Sequence, residues 1–158
     1  MMKLSHIVSG IKSRFAIEQA KNRFAQKDYD GALKELKTLV KAQPDFELPP
    51  GLSHDLQMIF GMALEETGHY ERAVQIYRAI MSVDPSYLES ARIHIGCTYS
   101  KMGEFDAAIR EWEELLDERP NCMRAYELIR EMRNMPEQTK KAILAFAAVR
   151  RSLSSQKD

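Results

Sequence analysis

Self-similarity at a fixed interval constrains this chain more than any single motif does. Gly61 recurs as Gly96, Gly68 as Gly103, Ala73 as Ala108, Tyr77 as Trp112 and Pro85 as Pro120, each 35 residues on. Looking backward, Tyr29, Ala32, Leu36, Leu39 and Pro44 match Tyr70, Ala73, Tyr77, Ile80 and Pro85 at a step of 41. The surplus falls in Asp45-Phe46-Glu47-Leu48-Pro49-Pro50-Gly51, a turn-rich stretch that can loop out cheaply. Looking forward, Ala108, Trp112 and Leu115 recur as Ala142, Phe146 and Val149 at a step of 34. A period of this length marks a supersecondary unit that cannot bury its apolar face alone and must stack on its neighbours.

Within each unit the apolar residues follow helical spacing. Phe60, Gly61 and Leu64 share one face, as do Ala73, Ile76, Tyr77 and Ile80. Gly68 and Gly103 fall between the two stretches, where a left-handed helix-terminating residue is needed. Pro44, Pro85 and Pro120 close the second stretches, because proline cannot continue the hydrogen-bond ladder. Ser86-Tyr87-Leu88-Glu89 reads as a capping box opening the next helix. Small residues sit where helices must approach closely, and large ones fill the gaps beside them, so Trp112 is expected in the core.

Composition agrees with one soluble globular domain. The chain has 158 residues, 44% hydrophobic and 29% charged, with 7 glycines and 6 prolines, too few for a loop-rich all-β fold. The longest apolar run, Ala142 to Val149, is far short of a membrane span, which needs about 20 residues. No signal peptide is recognised at the start. Cys97 and Cys122 form neither a disulfide framework nor a metal-binding pair, so a cytoplasmic location is expected. Charge balances only in total: residues 1–43 carry +5, residues 44–139 carry −9 and residues 140–158 carry +4. Such asymmetry can steer a partner or favour head-to-tail self-association; it also fits solvated helix faces. The basic residues lack an interleaved aromatic platform, which argues against nucleic acid as a partner.

Phe60-Gly61-x-x-Leu64 with Ala73-x-x-x-Tyr77 and Pro85, then Ile95-Gly96-x-x-Tyr99 with Ala108-x-x-x-Trp112 and Pro120, resemble tetratricopeptide repeats. The first unit departs from the pattern, with Ala20 and Phe24 in its first helix and Lys27 in place of the turn glycine. The fourth has Asn134-Met135-Pro136-Glu137 at its turn and no closing proline. The resemblance implies an all-α fold, a right-handed superhelical solenoid of about four helix-turn-helix repeats, three clear and one degenerate at the C-terminal end. The expected layout is a single domain over residues 1–158. Residues 1–12 form an N-terminal helical extension, 13–44 the first repeat, 45–53 a loop insertion and 54–85 the second repeat. Residues 86–120 form the third, 121–153 a degenerate repeat with capping helices, and 154–158 a tail.

Tetratricopeptide arrays bind a peptide or helix in a concave groove lined by the first helix of each pair. Carried onto this sequence, the resemblance points to Ile17, Lys21, Phe24 and Ala25 in the first unit and to Met58, Met62, Glu65 and Glu66 in the second. It points to Ile93, Cys97, Ser100 and Lys101 in the third and to Glu127 and Glu131 in the fourth. The strip is apolar with a charged rim, and its methionines adapt to irregular surfaces, which suits an amphipathic helix or an apolar extended segment. Met58 and Met62 could equally pack between repeats. Family members that grip acidic chaperone tails use a two-carboxylate clamp of lysines, asparagines and an arginine. At the matching positions this chain has Ile17, Lys21, Ile59, Ser90 and His94, so binding of such tails is not expected.

No catalytic constellation, cofactor motif or metal site is found in the sequence. His94 and Cys97 share a helix face, but two ligands do not make a zinc site. Glu66 and His69 have a di-iron spacing but straddle a helix-ending glycine and have no second copy. Two amphipathic ends are left. Met1, Leu4, Ile7, Val8, Ile11 and Phe15 form a stripe beside Lys3, Lys12 and Arg14. It is read as an extension covering the end of the solenoid, with a dimer element or a peripheral membrane contact through residues 1–15 as alternatives. Ile143, Phe146, Ala147, Val149, Arg150, Arg151 and Leu153 form the second, whose basic residues could meet the acidic middle of another copy in a homo-oligomer.

The function expected is a non-enzymatic interaction module, an adaptor, scaffold or assembly factor with a protein or peptide partner. The alternative is a dedicated cytosolic chaperone for a secreted or assembling subunit. The chaperones of type III secretion resemble the chain in size and repeat number.

Overall fold

The computed structural model describes residues 4–39 and 53–154, with side chains described for residues 14–37, 53–150 and 152–153. Among the described residues all regular structure is helical. The chain divides into two compact units, Met1–His69 and Tyr70–Asp158.

The first unit holds α1 (Leu4–Ala25), α2 (Tyr29–Leu39) and α3 (His54–Glu66). α1 packs along α2, and α3 packs on both. Ala20 and Ala32 are wholly buried, which lets α1 and α2 approach closely, and Leu33 and Leu36 fill the core beside them. Met1 lies outside the described residues, and from Leu4 onward the N-terminal stripe belongs to α1. Of the stripe's side chains Phe15 is described, and it is exposed; Leu4, Ile7, Val8 and Ile11 lie outside the described side chains, as does the cap reading that rests on them. Pro44 and the insertion also lie outside the described residues.

Between α1 and α2, Lys27 takes the left-handed conformation, φ 62°, that Gly68 and Gly103 take at 84° and 81° in their turns. The turn is fixed around Asp28, whose carboxylate accepts from Arg23 Nη1 at 2.7 Å and from the Gly31 N–H at 3.0 Å. A side chain on Gly31 would lie 2.1 Å from Asp28 Oδ2, so only glycine leaves room for this ion pair. Arg23 also reaches Glu35 at 3.3 Å.

The second unit holds α4 (Tyr70–Val83), a 3-10 turn over Pro85–Tyr87, α5 (Leu88–Met102), α6 (Phe105–Glu118), α7 (Met123–Arg133) and α8 (Glu137–Ser154). The prolines end α4 and α6 where the sequence places them. The expected capping box is absent. Asp84 caps the 3-10 turn instead, accepting from the Ser86 N–H at 3.0 Å and the Ser86 hydroxyl at 2.7 Å, while α5 begins at Leu88 without a side-chain cap. Asp84 wins because Pro85 fixes the backbone that aims the next N–H groups at its carboxylate.

Trp112 is buried as expected, in a cluster with Ala108, Leu115, Cys122, Ala125 and Ile129 from α6 and α7 and their junction. Across the top of this cluster Arg92 holds Glu111, Glu114 and Glu118 at 3.1, 2.6 and 2.8 Å, and Arg78 holds Glu111 from the other side at 3.0 Å.

The repeat register stops at α8. Ala142, Phe146 and Val149 correspond in spacing to the buried Ala108, Trp112 and Leu115, yet all three are exposed, with Phe146 at 59% and Val149 at 56%. α8 instead packs on α5, with Ala147 buried and Leu144 against Gly103. The reason lies on α7. In the third unit Gly96 lets the Trp112 ring lie against the backbone, and 34 residues later the equivalent position is Arg130. Arginine cannot offer the bare backbone that a large ring of the second helix needs for close approach. Tyr126, Ile129 and Arg130 consequently line an open concavity of about 480 Å³ on α7.

Candidate peptide-binding face

In the first unit, Ile17, Lys21 and Phe24 lie at helical spacing along one side of α1. Ile17 and Phe24 are half-buried, while Lys21 and Ala25 are exposed. Phe24 is held edge-on to Tyr29, centroids 5.4 Å apart, so its position is set by the turn beneath it. On α3, Met62 is half-buried and Glu66 exposed, but Met58 is 7% exposed and Glu65 only 4%. These two are corrections to the expected strip: burial takes both from the surface a ligand can reach. Met58 and Met62 share a face one turn apart, so sequence spacing alone could not separate them.

In the second unit, Ile93, Cys97, Ser100 and Lys101 are half-buried along α5, while Ala91, Ile95, Gly96 and Thr98 on the same helix are buried. α5 therefore divides between a buried core face and a half-buried face that borders the core. Ile93 and Cys97 pack by their edges on the Trp112 cluster, and the Ile93 carbonyl accepts the Trp112 indole N–H at 3.4 Å. The face is thus braced from beneath by the largest core side chain. Glu127 and Glu131 on α7 are exposed, and Arg124 pairs with Glu127 at 3.3 Å.

Two of the clamp-equivalent positions are engaged otherwise. Ser90 donates its hydroxyl to the Tyr87 carbonyl at 3.1 Å, and His94 stacks on Tyr77 with centroids 5.2 Å apart. Asp28 is the titratable group whose environment is plainest: the hydrogen bond from Arg23, then that from the Gly31 N–H, holds its carboxyl below the usual aspartate range. Among the described residues no three His, Cys, Asp or Glu side chains converge as metal ligands, and no helix is long and apolar enough to cross a membrane.

Helical pairs closed by left-handed turn residues, with small residues at the crossings, define a helical-repeat protein. The family profile described as tetratricopeptide repeat matches residues 17–86 and 95–129, and the chain belongs to that family. Solved structures agree on the fold. The TPR domain of Arabidopsis OM64 is 15% identical at a TM-score of 0.61, covering 81% of this chain and 99% of that one. The second TPR domain of human RPAP3, solved with the HSP70 peptide SGPTIEEVD, is 17% identical at 0.59, covering 80% and 98%. MamA is 18% identical at 0.59, covering 91% and 81%. No curated protein matches the chain by sequence.

Proposed function

We propose that the protein is a non-enzymatic interaction module, an adaptor or assembly factor, whose ligand is an apolar peptide or amphipathic helix of a partner protein. The observation that carries this reading is the division of α5. Ile93, Cys97, Ser100 and Lys101 form a continuous half-exposed line on a helix whose other side is fully committed to the core. Ile17, Lys21, Phe24, Met62 and Glu66 supply a similar mixed surface in the first unit. Apolar positions give such a surface affinity, and its polar flanks select orientation.

The test is affinity capture with the wild-type chain beside Met62→Glu and Cys97→Glu, each first shown to fold by circular dichroism. Partners lost from a variant support the corresponding face; retention of every partner by both variants overturns the reading. The ligand of the RPAP3 domain is a useful control. With Ile17 and Ile59 in place of polar donors, Ser90 bonded to its own turn and His94 stacked on Tyr77, convergent cations are missing. Calorimetry with SGPTIEEVD should show no binding, and micromolar affinity would contradict this.

A further inference from the structure

We infer that α8 is a displaceable intramolecular inhibitor of the α5 face, a helix that a partner must move to reach Ser100 and Lys101. The inference rests on reading α5 as a ligand-binding helix. α8 belongs to the ligand class such a face recognises, being amphipathic, and it is seated at one end of that face. Leu144 Cδ2 lies 2.7 Å from where a Cβ on Gly103 would be, at the C-cap of α5 two residues beyond Lys101, and Ala147 is buried at 3%.

Among the described residues the apolar part of the seat is small. The Arg150 guanidinium donates to the Tyr70 hydroxyl at 3.0 Å and lies 5.6 Å from the Tyr70 ring centroid, while its stacking on the Phe146 ring at 5.2 Å is internal to α8. The large apolar residues of α8 contribute little, since Phe146, Val149 and Leu153 remain more than half exposed. α6 contrasts with this, because its Trp112 and Leu115 are wholly buried. An element with so little apolar burial belongs to the low-stability end of a structure and opens before the rest. Its described packing partner is α5, not α7. Met135 packs on the Trp112 cluster and anchors the connection, so α8 stays tethered when it leaves and re-docks at high effective concentration.

The experiment compares the full chain with Ala147→Glu, which places a charge in the seat, and with the milder pair Leu144→Ala and Arg150→Ala combined, in case the first variant does not fold. Hydrogen exchange of residues 137–154 reads docking, and titration with a synthetic peptide of residues 137–154 reads access to the vacated face. The expected result is exchange faster by about tenfold across α8, with α5 to α7 unchanged in the absence of peptide. The peptide should bind the variants at least about tenfold more tightly than wild type and slow exchange in residues 93–103. Equal binding to wild type and variants, with residues 93–103 protected, overturns inhibition while the α5 face survives. Binding that protects other residues overturns the face reading and the inference with it. Faster α8 exchange without peptide binding to either variant overturns the inference.

Discussion

Gly96 and Trp112 occupy space that no larger pair could share. A Cβ on Gly96 would lie 2.2 Å from the Trp112 Nε1 and 2.5 Å from Cε2. The indole cannot retreat, because its ring is buried and its N–H is directed at the Ile93 carbonyl. Alanine is the better helix former, by up to about 1 kcal/mol, so propensity alone predicts stabilisation. Overpacking outweighs it here. Gly96→Ala should destabilise the fold by about 2 kcal/mol in urea unfolding followed by Trp112 fluorescence. An unchanged or raised midpoint would contradict this geometry.

Lys27 predicts the opposite sign. Its φ of 62° costs a side-chain-bearing residue about 1 kcal/mol that glycine avoids. The side chain is exposed, so little packing is lost with it. Lys27→Gly should raise stability by up to about 1 kcal/mol. Gly103→Ala should lower it, since an alanine there meets both the left-handed backbone and Leu144. Urea midpoints of the two variants measured side by side check both signs.

Asp28 makes part of the stability pH-dependent. Its carboxyl is held below the ordinary aspartate range by Arg23 and the Gly31 N–H, so the folded state binds the proton less readily than the unfolded chain does. Its contribution is therefore complete above the unfolded value, about 3.9, and is lost as pH falls through the lower folded value. Asp28→Asn should be less stable than wild type at neutral pH, with the gap closing below about pH 4. A gap constant down to pH 2.5 would show that the ion pair contributes nothing.

Arg92 is the hub of the second unit's ion network, and Glu111 beneath it is buried. Arg92→Met alone leaves that carboxylate with Arg78, whose side chain is mostly exposed, and should cost about 3 kcal/mol. Adding Glu111→Leu should recover much of the loss, because an apolar pair of similar volume needs no compensating charge. A double-mutant cycle by urea unfolding measures the coupling, and additive losses would count against it.

Much of this fold is legible in the spacing of a few residues. Glycines at 61, 68, 96 and 103, with Tyr77 and Trp112 between prolines, locate helices, turns and the core, because each performs a local steric task. α8 was not legible from Ala142, Phe146 and Val149, which obey the register and yet face solvent. The signal lies on the preceding helix, where Arg130 stands in place of a glycine. Ser86 was read as a cap because it precedes Glu89 by three residues, while Asp84 held the stronger acceptor one residue before a proline. The binding face was legible only as helix spacing. Which of Met58 and Met62 is reachable depends on depth, a property of neighbouring helices rather than of the helix itself.

A helical array has no natural length, since each unit presents the same surface for the next one to cover. Among the described residues the register lapses after α7, where Arg130, a side chain of long reach, stands at the position Gly96 holds in the preceding unit. Register in such an array is thus carried by single small residues, and it lapses where one of them gives way to a long side chain.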